Sequence, residues 1–218
     1  MARRAPDRRD ISFGAGPPAR RRASGRTTAV AGDARDCKAR RVKREGDAMD
    51  ITQLILDDHH EQRRLFAILE QIDREDEEKL TAVWSHLAAF LEVHAKAEED
   101  FFYPELLRTG QGAGGKATSE DETEDAIGDH NEIRDAVAAV AGHTVGTNGW
   151  YAAVAHANEV NSDHMGEEER QGLTDFRLHA SLELRHDLAA AFIAFEASHI
   201  SGVRAQDVDP KVYIAENK

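Results

Sequence analysis

Residues 93–106, VHAKAEEDFFYPEL, and residues 162–170, SDHMGEEER, decide how this chain reads. Each holds a His and a Glu four positions apart, His94 with Glu98 and His164 with Glu168. That spacing puts both side chains on one face of an α-helix, which repeats every ~3.6 residues. The two copies are 70 residues apart, and each follows an Asp-His pair, Asp58-His59 and Asp129-His130, themselves 71 apart. His86 and His156 repeat at 70 as well. The apolar register agrees: Leu65 and Phe66 follow His59 as Ala136 and Val137 follow His130, which selects His59 over His60 as the repeating position. A duplicated unit of two helices predicts an all-α, up-down-up-down four-helix bundle.

Working outward, apolar residues at helical spacing predict helices over about 51–74, 78–108, 120–142 and 150–171, and an additional C-terminal helix over about 175–200. Gly172 is expected to cap the fourth and Thr174 to start the fifth. Residues 109–119, TGQGAGGKATS, read as a loop. The bundle domain is therefore expected over 49–200, with 201–218 as a tail. Trp84, Phe90, Phe101 and Phe102 read as core.

The formal net charge of -13 hides an asymmetry. Residues 1–48 carry 14 Lys+Arg against 6 Asp+Glu, a net +8, which leaves -21 on the remainder. So acidic a body is unsuited to nucleic acid or an anionic membrane. The basic segment has too few large apolar residues to bury a core and is expected to be disordered. It reads as an interaction tail, a targeting arm, or sequence upstream of a true start at Met49; the helix start Asp50-Ile51-Thr52 directly after Met49 favours the last. The single cysteine, Cys37, permits no internal disulfide. There is no apolar run of membrane-spanning length and no apolar signal-peptide core, so a cytoplasmic location is expected.

Each helical pair offers two His and one Glu: His59, His94 and Glu98, then His130, His164 and Glu168. Six such donors without a thiolate suit iron, manganese or zinc, and two equal half-sites favour two ions with the Glu carboxylates able to bridge them. Six protein ligands leave coordination positions open for an exogenous ligand. Glu99 and Glu169 are expected to face solvent or to orient a ligand His. His86 and His156 read as interhelical hydrogen-bond partners. His179 and His186 lack a repeated partner and read as a solvated face.

Asp58-His59, VHAKAEEDFFYPEL with its Tyr103-Pro104 ending, Asp129-His130 and SDHMGEEER together resemble the hemerythrin family, in particular its HHE cation-binding domains, over about residues 50–200. The resemblance implies a non-haem, oxo- or hydroxo-bridged pair of irons held by His59, His94, Glu98, His130, His164 and Glu168. It implies a small partner: O2, nitric oxide or peroxide. Two departures separate the chain from the oxygen carriers. Arg134 stands where they have a further His, and the final acidic ligand is Glu168, four residues after His164, rather than an Asp at five. The resemblance is thus to the bacterial two-repeat type, which implies sensing, iron homeostasis or peroxide decomposition rather than reversible O2 transport. Arg134 is placed to steady a bound anion or a bridging carboxylate, or else lies on the surface.

Overall fold

The computed structural model describes residues 49–115 and 118–218; the basic segment 1–48 lies outside the described residues. Four long helices form an antiparallel bundle: α1 (Ile51–Gln71), α2 (Glu77–Ala97), α4 (Ser119–Val140) and α5 (Asn148–Arg170). Each begins on a residue whose side-chain oxygen accepts a first-turn N–H, namely Asp50, Asp76, Thr118 and Thr147. The turns joining α1 to α2 and α4 to α5 meet at one end. There Arg74 donates to Asn148 (2.7 Å), and Gly146, at φ +77°, packs so closely that a Cβ would meet the Arg74 carbonyl at 2.5 Å. No strand occurs among the described residues.

The second helix continues beyond Ala97 through a π-helical turn, Glu98–Phe102, into α3 (Tyr103–Thr109). Pro104 explains the wide turn: it has no N–H for the Asp100 carbonyl, and its ring crowds that carbonyl. The turn carries Glu98 and Glu99, both buried, at 0% and 3% exposure.

The C-terminal part departs from the sequence expectation. The single helix expected over 175–200 is two, α6 (Gly172–His179) and α7 (Leu182–Ser198), because Ala180 is extended and Ser181, not Thr174, caps the second. Gly172 is the first residue of α6 rather than a cap. The expected tail holds α8 (Pro210–Asn217), started by Asp209. Tyr213 of α8 is buried and donates to the Glu99 carbonyl, and Asn131 of α4 holds Val208 through two hydrogen bonds (2.8 and 3.1 Å).

Two apolar clusters fill the bundle. One gathers Ile51, Ile55, Phe102, Leu106, Ile127, Phe176 and Phe192; the other gathers Leu65, Phe66, Leu87, Leu91, Val140, Trp150 and Val154. Trp84 and Phe90 pack against the second, half-buried, as Phe101 does against the first. In sequence, the motif residues fall between members of the two clusters: His59, His94 and His130 within α1, α2 and α4, and His164 and Glu168 between Ala157 of α5 and Leu173 just beyond it. A polar layer is thus sandwiched between two hydrophobic ones.

Candidate metal centre

That layer brings all six motif residues together. His59 and His130 come from the first helix of each pair, His94 and His164 from the second, with Glu98 and Glu168 one turn further on. All are at most 4% exposed. His60 is exposed, as the repeat register requires. Buried polar atoms are nearly always hydrogen-bonded, yet here the Nε2 atoms of His59, His94, His130 and His164, both oxygens of Glu98 and Oε2 of Glu168 have no hydrogen-bond partner. They face one another: His94 Nε2 lies 2.9 Å from Glu98 Oε1, His130 Nε2 3.2 Å from Glu98 Oε2, and His59 Nε2 3.3 Å from Glu168 Oε2. The atoms form two triads able to hold a cation, His59–His94–Glu98 and Glu98–His130–His164, and Glu98 belongs to both. Seven buried donor atoms that converge on one another fit metal ions.

The other ring nitrogens are accounted for differently. Each His turns Nδ1 to a carboxylate: His94 to Asp58 (3.2 Å), His164 to Asp129 (3.4 Å), His130 to Glu99 (3.1 Å) and His59 to Glu169 (3.1 Å). Such contacts fix the ring so that Nε2 faces the centre with its lone pair. The pairing is reciprocal. The Asp before each first His serves the second His of its own unit, and the Glu after each ligand Glu serves the first His of the other unit.

Two arginines back these carboxylates. Arg63 bonds Glu169 (2.8 Å), and Arg134 bonds Glu99 (2.7 Å) and both oxygens of Glu92 (3.1 Å each). Arg134 is 7% exposed, so it is neither a surface residue nor free to hold an exogenous anion. Sequence reasoning did not pair it with Arg63, although the two lie 71 apart, the interval of the Asp-His pairs.

Electrostatics follow from these contacts. Burial pushes the His94 ring down, but the Glu98 charge and the Asp58 bond outweigh it and hold its pKa well above the usual value. His130 is likewise lowered by burial yet raised to about 9 by Glu98 and Glu99. Glu98 pays burial's upward push but ends well below the carboxylate range, between His94 and His130. The His59 bond, helped by Arg63, draws Glu169 down to about 2. Tyr103 is buried and donates to Glu168 Oε1 (2.6 Å), leaving Glu168 one free oxygen.

A third group, Asp58, His94 and Glu196, shares His94 with the first triad, and Asp58 already takes the Nδ1 of that ring (3.2 Å). Burial and the neighbouring Asp58 charge raise Glu196 to about 8, so it is neutral near pH 7. A carboxyl raised above its unfolded value, about 4.3, contributes stability that is lost as pH climbs from there toward 8. Glu196→Gln should therefore leave the acid-side melting temperature of the metal-free protein unchanged and raise it at pH 8. A variant whose melting curve tracks the native protein at both pH values would exclude this reading.

The remaining histidines stand apart. His86 is exposed and stacks on Phe90 (6.3 Å), and His156 is exposed beside Glu159 (3.8 Å) on its own helix; neither bridges helices as expected from sequence. His179 bonds Asp175 and His186 meets the Met49 carbonyl; neither joins a cation-holding group among the described residues. No helix of the described residues is long and apolar enough to cross a membrane. Comparison with curated proteins and with solved structures gives no match. Comparison with protein families gives one over residues 50–173, which contain every residue of the two triads. The chain belongs to the hemerythrin family, as a hemerythrin HHE cation-binding domain.

Proposed function

We propose that the chain holds two irons through His59, His94, Glu98, His130, His164 and Glu168, and that the pair takes up O2, nitric oxide or peroxide. The observation that carries this reading is the set of seven buried, unpartnered donor atoms arranged as two triads that share Glu98. When bound, the irons supply redox equivalents and open positions for a small ligand. The protein's own contribution is positional. Glu98 offers one oxygen to each triad. Asp58, Glu99, Asp129 and Glu169 hold the rings in the tautomer that presents a bare Nε2. Tyr103 keeps a proton on its phenol, raised well above the usual value by burial and by Glu168, and so fixes Glu168 Oε1. The apolar clusters above and below exclude bulk water.

Arg134 favours a reactive centre over an oxygen carrier, because a guanidinium adds no ligand where the carriers have a ring. Anaerobic reconstitution with Fe(II) should give two irons per chain, and the loaded protein should evolve more O2 from hydrogen peroxide than the metal-free protein. One zinc per chain with no iron uptake would exclude the di-iron centre. Two irons with reversible O2 uptake and no peroxide turnover would leave a binding protein or sensor.

A further inference from the structure

The repeat suggests two equal metal positions, but the side chains around them are not equal. Resting on the di-metal reading, we infer that the Glu98–His130–His164 position is the weaker, exchangeable and ligand-accepting one, and that the His59–His94–Glu98 position is the tight one.

Three observations carry this. The first is the donor count. Glu168 has only Oε2 free, and it faces His59, 3.3 Å from Nε2. The α1–α2 position thus draws on His59, His94, Glu98 and Glu168, whereas the α4–α5 position has Glu98, His130 and His164. The second is Arg134. One turn beyond His130, where another donor would complete the poorer position, its guanidinium is spent on Glu92, Glu99 and Asn131 and cannot ligate a cation.

The third is access. His130 forms part of the wall of a cavity of about 330 Å3 between α2, α4 and residues 201–205. His164 lines a separate pocket of about 90 Å3 whose walls carry Asp129, Glu132, Asp163 and Glu167. Carboxylates concentrated at one mouth raise the local concentration of cations. Beside the other position, His94 has the rings of Phe90 and Phe192 against it (6.2 and 6.0 Å). Space for an incoming ligand and a route for an exchanging cation therefore both lie beside the position with fewer donors.

The test is an anaerobic titration of the metal-free full chain with Co2+, followed by visible absorption and calorimetry. Two steps of one ion each are expected, separated by about tenfold or more in affinity, the scale on which single groups around a metal act. His164→Ala should remove only the weaker step. Glu168→Gln, a milder change, should weaken only the tighter one, so the test survives if His164→Ala does not fold. Azide should alter the Co2+ spectrum only after the second equivalent. Two steps of equal affinity, loss of the weaker step in Glu168→Gln, or an azide response at the first equivalent would each overturn the inequality. Failure of any second ion to bind would instead overturn the dinuclear reading itself.

Discussion

Glu98→Ala should empty both metal positions at once. Glu98 is the single residue shared by the two triads, and both its oxygens are buried and unpartnered. Removing any one His takes a donor from one triad, whereas removing Glu98 takes one from each. A change in a group that only supports a ligand costs about 10–100-fold in affinity, so loss of the shared ligand should cost more than about 100-fold at each position. Reconstituted wild-type protein should retain two irons through gel filtration and melt at a higher temperature than its metal-free form, because an ion that binds only the folded chain adds its binding free energy to stability. Glu98→Ala should elute without iron and show no shift on adding metal. His179→Ala and His186→Ala should behave as wild type, since those rings lie outside the cation-holding groups. A Glu98→Ala protein that still holds two irons would show that some other group bridges them.

The reason so much of this centre was legible in the sequence is that it is duplicated. A lone His-x-x-x-Glu is an ordinary surface pairing on a helix. Two copies at one interval, each behind an Asp-His, have no such ordinary explanation, and the same register placed His59 inside and His60 outside. The supporting carboxylates were only half legible. Glu99 and Glu169 could have faced either way, because each lies one residue past its ligand Glu, and only the partner helix of the other unit shows which ring each one meets. Asp58 and Asp129 were visible as markers of the repeat, but their service to His94 and His164 crosses between helices. Arg63 and Arg134 carried a usable signal, their matched interval, which the deviation from the oxygen carriers obscured at Arg134. The C-terminal helices were hardest to read, because they lie outside the repeat. There the local chemistry of Ala180-Ser181 and Asp209-Pro210 set the boundaries instead.

The pH response of the metal-free protein should run opposite to that of metal uptake. The rings of His59, His94 and His130 all have raised pKa values, His130 to about 9, because the carboxylates around them outweigh burial. A histidine raised on folding contributes stability that is full below its unfolded pKa, about 6.5, and is lost as pH rises through the folded value. The metal-free protein should therefore melt at progressively lower temperature from pH 6.5 to 9, with Glu196 adding to the decline on its way to about 8. Glu98 and Glu169, both lowered, act at the acid end and leave that window alone. Metal binding needs the same Nε2 atoms without protons, so each ion must expel the protons that stabilised the empty site. The logarithm of apparent affinity for Zn2+ should then rise with pH at a slope between about one and three, one for each of up to three rings deprotonated. The loaded protein has no such protons left to lose, so its melting temperature should hold while that of the metal-free form falls, and the gap between them should widen up to pH 9. Glu196→Gln should flatten part of the metal-free decline without changing the slope of Zn2+ affinity, which separates the outer carboxyl from the inner rings. A metal-free melting temperature that stays level or rises between pH 6.5 and 9 would mean that His59, His94 and His130 are neutral in the empty site, each bare Nε2 being held for the cation by its carboxylate alone.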